Sequence, residues 1–206
     1  MSTRLLLASD NPKKRAELQG LLAQLPLELV TPREIGGLPP VVEDQPSFAA
    51  NAAKKARSAA RSSGLWSLAD DSGLEVEALN GAPGVHSARF AGRHGDDAAN
   101  NAKLLEALSG LPPARRGARF VCALALARPD GSLALEVEGT AGGRVLEAPR
   151  GTRDFGYDPL FLFTEAGWEE TDHGFAELEP ERKARVSHRG RAMRALLERL
   201  PEALRL

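Results

Sequence analysis

The chain has little cysteine, few aromatic residues and no long apolar segment. Its single cysteine, Cys122, excludes an internal disulfide and any zinc site built from several thiolates. The longest uninterrupted apolar run, from Phe120 to Ala127, is far shorter than the roughly 20 residues that a membrane helix needs. The sequence therefore predicts a protein of a reducing, cytoplasmic compartment that does not associate with membranes.

An excess of charge of either sign is also absent. The chain has 27 Lys and Arg residues against 28 Asp and Glu residues, which gives a net charge of -1. Nothing in this total requires a nucleic acid or another polyanion as partner. With 206 residues, 42% of them hydrophobic, the sequence predicts a single globular domain over residues 1–206.

Several common catalytic motifs are missing. There is no Gly-Lys pair of a Walker A loop, no glycine spacing of a dinucleotide fold, no Gly-x-Ser-x-Gly elbow and no His-Glu-x-x-His helix. We therefore expect the chemistry to come from polar clusters at the ends of strands and helices.

Hydrophobic periodicity and turn residues predict a mixed α/β fold. The predicted strands are 4–8, 27–31, 66–69, 74–79, 119–127, 133–139, 144–146 and 160–163. The predicted helices are 12–25, 48–63, 96–108, 178–185 and a last one from the Ser187 cap to residue 200. The turn Pro129-Asp130-Gly131 joins two of the strands as a hairpin.

Two adjacent acids, Asp70 and Asp71, are expected at a strand end, just before a turn at Gly73. At 4 Å and an effective dielectric near 20, two such charges repel by roughly 4 kcal/mol. A divalent cation such as Mg²⁺ reverses that sign, since it binds one or two carboxylates together with substrate phosphates. Asp-Asp-Ser-Gly is also good turn chemistry, so a plain polar turn stays equally open.

A basic helix start near the N-terminus is a candidate phosphate site. Ser9, Asn11 and Lys14 follow the first strand and could offer a hydroxyl, an amide, a cation and backbone N–H groups to phosphate oxygens. Basic residues are unfavourable at a helix N-terminus unless an anion binds there. A plain capped helix with a solvated lysine is the alternative.

A third cluster could recognise a flat base. The segment Phe155-Gly156-Tyr157-Asp158 offers aromatic faces and an acid. A tight turn whose aromatic residues pack in the core would have the same sequence pattern, so both interpretations stay open. His188 and Arg189 begin a helix soon after Lys183. A binding site and a structural role for the histidine are therefore both open at this position.

Taken together in chain order, these segments resemble the inosine triphosphatase family, the non-canonical purine nucleoside triphosphate pyrophosphatases. The resemblance covers essentially the whole chain, and no single motif carries it. Its pieces are Ser9-x-Asn11-x-x-Lys14, Ala69-Asp70-Asp71-Ser72-Gly73-Leu74, Gly81-Ala82-Pro83-Gly84 with Ser87-Ala88-Arg89, Phe155-Gly156-Tyr157-Asp158-Pro159 and Ser187-His188-Arg189-Gly190.

The resemblance implies a Mg²⁺-dependent hydrolase that converts ITP, dITP or XTP to the monophosphate and pyrophosphate and so removes them from the nucleotide pool. It also implies an elongated central mixed β-sheet flanked by helices, with two lobes around a cleft, and a homodimer. No nucleic acid or membrane is implied as a partner.

By the same resemblance, Asp71 is the proton acceptor and a metal ligand. We expect Glu43, from the proline-rich loop, as a second metal ligand beside it. The implied substrate-binding residues are Ser9, Asp10, Asn11, Pro12, Lys13, Lys14, Ser72, Phe155, Gly156, Tyr157, Asp158, Lys183, His188 and Arg189. Two departures stand out: Ala50 occupies a position where relatives often carry a glutamate, and Asp10 places an acid inside the phosphate segment.

Three other functions are compatible with parts of the sequence. A Maf-like pyrophosphatase would act on other non-standard or pyrimidine triphosphates by a similar reaction. A non-catalytic nucleotide sensor would need only the binding clusters, and the acid pair argues against it. A nucleic-acid-binding module would show salt-dependent affinity, which we do not expect.

Overall fold

A mixed sheet organises the chain in the computed structural model, which describes residues 3–9, 20, 22, 25–153 and 155–205. Its spatial order is β2-β1-β3-β4-β5-β6. The strands are β1 (Thr3–Leu7), β2 (Leu27–Val30), β3 (Trp66–Val76), β4 (Gly117–Ala127), β5 (Leu133–Val145) and β6 (Phe161–Phe163). Strand β1 is parallel to β2 and to β3, whereas β5 and β6 are antiparallel, so the predicted mixed α/β class is confirmed.

The described helices are α1 (Phe48–Ser63), α2 (Asp97–Ala107), α3 (Pro180–Val186) and α4 (His188–Leu204). Helix α1 has its predicted bounds: the Ser47 side chain accepts a hydrogen bond from the N–H of Ala50, and Gly64 ends the helix with φ 69°. Helix α4 continues beyond the predicted residue 200 and includes Pro201. Most of the predicted helix 12–25 lies outside the described residues.

The predicted turn at Gly73 is wrong. Strand β3 runs without a break from Trp66 to Val76, so Asp70 and Asp71 lie inside a strand rather than at its end. A Cβ at Gly73 would lie 2.3 Å from the Oγ of Ser87, so this glycine permits close packing and does not reverse the chain. Both acids are largely buried, which also excludes the solvated polar turn.

Two further boundaries differ from the prediction by three residues or more. Strand β5 extends to Val145 and absorbs the separate strand predicted at 144–146, because Val145 pairs with Phe161 of β6. Residues Glu77–Leu79 form a short 3-10 helix instead of the end of a strand.

The chain divides into two compact units, each with its own core. Unit 1 comprises Met1–Asp71, Cys122–Glu138 and Ala192–Leu206, and unit 2 comprises Ser72–Val121 and Gly139–Arg191. Leucines dominate the core of unit 1, and Phe161, Phe163 and Phe175 are fully buried in unit 2. The single domain stays a prediction.

None of the helices in the described part of the chain is both long enough and apolar enough to cross a membrane.

Candidate functional site

The polar cluster of unit 1 starts on helix α1. Four alanines, Ala52, Ala56, Ala59 and Ala60, form the helix face that packs against the protein and are almost fully buried. Small side chains let the helix approach the sheet closely, and Asn51 and Lys55, four residues apart, project from the same side of the helix. The sequence of α1 therefore places the amide of Asn51 and the ammonium of Lys55 on the same side of the helix.

Asn51 connects the proline-rich loop to strand β3. Its side chain is completely buried, its Oδ1 accepts from the N–H of Gln45 at 3.0 Å, and its Nδ2 donates to Oδ2 of Asp71 at 3.1 Å. Lys54 adds a second link to the loop by donating to the carbonyl of Val42 at 2.9 Å. These bonds hold the loop that carries Glu43 against the helix.

Lys55 joins two carboxylates. Its Nζ lies 2.7 Å from Oε1 of Glu43 and 3.3 Å from Oδ1 of Asp71. The Lys55 and Asp71 side chains are only 16% and 12% exposed, so solvent screens this cluster much less than it screens surface ion pairs. Both oxygens of Asp71 thus have a donor, and the carboxylate is held in one orientation.

The charges of this cluster change its proton affinities. Burial raises the pKa of Asp71 above its usual value, and the charge of Glu43 adds to this effect while Lys55 opposes it only in part. Burial would lower the pKa of Lys55, but the negative charges of Asp71 and Glu43 outweigh it, and the pKa is raised. Lys55 therefore stays protonated as the counter-ion of both acids.

Glu43 and Asp71 offer two carboxylates to a divalent cation. Among the described residues, no group of three or more His, Cys, Asp or Glu side chains could hold a metal by itself. Mg²⁺ commonly takes only one or two carboxylates and fills its other positions with water and phosphate oxygens. The ammonium of Lys55 between the two carboxylates marks a position that favours a cation.

In unit 2, the predicted base-recognition segment lies beside helix α3. The Nζ of Lys183 makes a short ion pair with Oδ2 of Asp158, whose side chain is 4% exposed. The hydroxyl of Tyr157 donates to the carbonyl of Ser87 at 2.9 Å, and burial raises the pKa of this phenol. The structure therefore brings Asp158 and Lys183 together and holds Tyr157 in the core of unit 2.

His188 and Arg189 lie next to aromatic rings of the same unit. The imidazole of His188 stacks on Phe120 with ring centroids 4.6 Å apart and an interplanar angle of 11°. The guanidinium of Arg189 lies 5.7 Å from the centroid of the Phe155 ring. Of the remaining candidates, Ser9 and Ser72 are half-buried, and Asp10, Asn11, Pro12, Lys13 and Lys14 lie outside the described residues.

The sequence analysis missed Asn51 and Lys55. Their spacing of four residues on an alanine-rich helix was the available signal, because it places both polar groups on one side of a helix that must pack closely. What the sequence lacked was the identity of their carboxylate partners, Glu43 and Asp71, which are 12 to 20 residues away along the chain.

Comparisons with known proteins agree along nearly the whole chain. The model of the Ham1 family matches residues 5–199. A dITP/XTP pyrophosphatase of Pseudomonas aeruginosa is 51% identical, with 96% of each chain covered, and one of Anaeromyxobacter dehalogenans is 49% identical, with 95% of this chain and 96% of that protein covered. The solved structure of a HAM1 protein from Coxiella burnetii has a TM-score of 0.88 at 40% identity and covers 97% of this chain and 99% of its own.

Proposed function

Because the chain belongs to the Ham1 family, we propose that it hydrolyses the non-canonical purine nucleotides ITP, dITP and XTP to the monophosphate and pyrophosphate. The observation that carries the proposal is the near-complete match to relatives named dITP/XTP pyrophosphatases at about half identity. Such an enzyme would remove these nucleotides from the pool.

The cluster of unit 1 supplies the chemistry of the proposed reaction. Glu43 and Asp71 would hold Mg²⁺, which neutralises phosphate charge when bound. Asn51 and Lys55 hold the carboxylate of Asp71 in place, and Asp71 would take the proton of the water that attacks the α-phosphorus. Lys55 keeps a positive charge beside the two acids.

The triphosphate would be held by the segment that follows β1. Its backbone N–H groups, the hydroxyl of Ser9 and the cations of Lys13 and Lys14 offer the donors that phosphate oxygens need. Asp10, Asn11, Pro12 and Ser72 complete the proposed contacts. Pyrophosphate leaves as a highly charged group, so these donors would act mainly by electrostatic stabilisation.

The nucleoside would bind to the residues of unit 2. Phe155, Gly156, Tyr157 and Asp158 would form one side of its site, with Lys183, His188 and Arg189 as further contacts. A 6-oxo purine accepts a hydrogen bond where adenine donates one, so a donor such as Arg189 or His188 penalises adenine. Guanine shares the 6-oxo group, and its rejection needs an unfavourable contact at the 2-position.

A product assay tests this function directly. The protein with Mg²⁺ is given ITP, XTP, dITP, GTP, ATP and dTTP in turn, and the phosphate products are separated. We expect pyrophosphate and monophosphate from ITP, dITP and XTP and far less turnover of ATP. Orthophosphate as the first product would overturn the attack at the α-phosphorus, and a preference for dTTP would indicate a Maf-like enzyme. Binding of ITP without turnover would indicate a sensor.

We also propose a cytoplasmic homodimer, as the resemblance to the inosine triphosphatase family implies. Light scattering on the purified protein should give twice the chain mass of 22.0 kDa. A mass of one chain at micromolar concentration would contradict the dimer.

A further inference from the structure

Two side chains of helix α2 form hydrogen bonds with the backbone N–H and carbonyl groups of Gly156. The Oδ2 of Asp97 accepts a hydrogen bond from the N–H of Gly156 at 2.9 Å, and the Nδ2 of Asn101 donates to its carbonyl oxygen at 2.9 Å. Asp97 and Asn101 are four residues apart, one turn along the helix, so both side chains point the same way. Two side chains thus satisfy both polar groups of one residue that is more than 50 positions away in the chain.

Helix α2 is itself held in place by core packing and by hydrogen bonds to neighbouring segments. Leu104 is fully buried in the core of unit 2. The side chain of Asn100 accepts from the N–H of Ala91 at 2.7 Å, and Arg116 donates to the carbonyl of Leu108 at 2.8 Å. Helix α2 is therefore a fixed support for Gly156.

Gly156 needs such a support. Its φ is 56°, in the left-handed region. Glycine adopts this region about as readily as negative φ values, so the residue type alone does not fix the backbone there. Gly156 lies directly between Phe155, whose ring faces Arg189, and Tyr157, which is followed by the partner of Lys183, Asp158. A rotation of the Gly156 backbone would move all these side chains.

We propose that Asp97 and Asn101 are positioning residues that hold the segment Phe155 to Asp158 in the conformation that binds the nucleoside. This inference rests on the proposed function, because that function assigns the segment to the nucleoside. Neither residue touches the substrate in this scheme; both act through Gly156.

Kinetics of three variants test the proposal. In Asp97→Ala and Asn101→Leu, one of the two bonds to Gly156 is lost, and we expect KM for ITP to rise about tenfold with kcat within about twofold. In Asp97→Asn, the amide oxygen still accepts from Gly156, so KM should stay near that of the unmodified protein. Inhibition by inorganic tripolyphosphate, which has no base, should not change in any variant.

Asp96→Ala is the matched control on the same helix. Asp96 caps α2 by accepting from the N–H of Ala99 at 3.1 Å, and neither hydrogen bond to the Gly156 backbone comes from it. Its loss weakens the helix start without removing either hydrogen bond to Gly156. An equal rise in KM in Asp96→Ala would overturn the proposal, since general loosening of α2 would then explain the effect.

Amide exchange gives a readout that needs no substrate. The N–H of Gly156 should exchange with solvent about tenfold faster or more in Asp97→Ala than in Asp97→Asn, because only the alanine variant leaves it without its acceptor. Unchanged exchange, or a fall in kcat at constant KM, would overturn the positioning role. If the unmodified protein releases no pyrophosphate from ITP, the proposed function fails, and amide exchange alone then decides whether Asp97 and Asn101 order this segment.

Discussion

At the scale of single residues, Asp71 owes its properties to three neighbours. Lys55 and Asn51 each donate to one of its oxygens, and Glu43 shares the lysine. An exposed carboxylate in water would have none of these constraints. A proton acceptor requires such a fixed orientation, because its carboxylate oxygen must lie within hydrogen-bond distance of the attacking water before the reaction starts.

Asp71→Asn should therefore remove turnover and leave the fold in place. The amide is nearly isosteric but cannot take a proton, and we expect kcat for ITP to fall at least about 100-fold. Thermal unfolding measured in parallel should change by only a few degrees. Turnover close to that of the unmodified protein would rule Asp71 out as the acceptor.

Gly73 is a second residue whose role depends on its surroundings. A Cβ there would lie 2.3 Å from Oγ and 2.8 Å from Cβ of Ser87, and 2.9 Å from the carbonyl oxygen of Gly84. Ser87 cannot move away easily, because its Oγ accepts from the N–H of Leu74 at 2.9 Å and donates to Gly84 at 2.6 Å. The absence of a side chain at Gly73 thus allows β3 to pack against the 3-10 helix Gly84–Arg89.

We expect Gly73→Ala to lower the free energy of unfolding by about 1 to 3 kcal/mol, as overpacking typically does. Gly20→Ala is the control, because Gly20 has nothing within 4 Å of an added Cβ and no positive φ. Alanine is the better helix former, so that change should be neutral or slightly stabilising. Urea unfolding of both variants compares them, and equal stabilities would contradict the packing role of Gly73.

At the scale of elements, an ion pair joins the start of helix α4 to the edge of the sheet in unit 2. Arg191 donates to both carboxylate oxygens of Glu165, at 3.0 and 2.7 Å, and to the carbonyl of Thr140 at 2.9 Å. The N–H of Gly142 also donates to Glu165, at 2.7 Å. A bidentate pair with an additional backbone bond contributes more than an isolated surface pair.

This pair predicts a pH dependence of stability. Burial alone would raise the pKa of Glu165, but the bonds from Arg191 and Gly142 outweigh it, and the pKa is lowered in the folded protein. A carboxyl with a lowered folded pKa stabilises the fold above its ordinary value of about 4.5, and this contribution is lost as the pH falls through the folded pKa. Glu165 should therefore stabilise the fold at neutral pH and not in acid.

Glu165→Gln should lower the free energy of unfolding at pH 7 by about 1 kcal/mol, a value reduced for the partial exposure of the pair. The difference from the unmodified protein should shrink as the pH falls below about 4.5 and vanish once the pH lies below the lowered pKa of Glu165. Glu169→Gln is the control, because it removes an exposed ion pair. The Glu169 side chain is 79% exposed, and its Oε2 lies 3.5 Å from Nη2 of Arg185. Urea unfolding at several pH values measures both, and a difference at pH 7 that persists in acid would contradict the ion pair as its source.

At the scale of the whole molecule, the net charge of -1 governs long-range interactions. Nonspecific binding to nucleic acid depends on neutralising several phosphates with Lys and Arg side chains. Many of the described basic side chains already pair with acids of this chain, among them Lys55, Arg119, Arg153, Lys183 and Arg191.

We therefore expect no gel shift of a short DNA duplex or single strand at low salt and micromolar protein. Retention that weakens steeply as salt is added would instead indicate counterion release and support the nucleic-acid-binding alternative. Nucleotide hydrolysis measured on the same preparation ensures that the protein tested is active.

The sequence by itself determined the local features. The bounds of α1 follow from Ser47, the alanine spacing and Gly64, all of which act within a few residues of each other. The mixed α/β class follows from alternating strand and helix patterns, and the family resemblance follows from short motifs in a fixed order. The roles of the individual site residues stay predictions.

Only the tertiary structure decided what depends on residues far apart in the chain. Gly73 looks like a turn residue until Ser87 is seen to occupy the space of its side chain. Lys55 looks like a solvated lysine until Glu43 and Asp71 are found on either side of it, and Asp97 looks like an ordinary first-turn acid until it meets Gly156. The physical reason is the same in each case: a side chain's partners are set by packing between segments, and the local sequence carries no record of them.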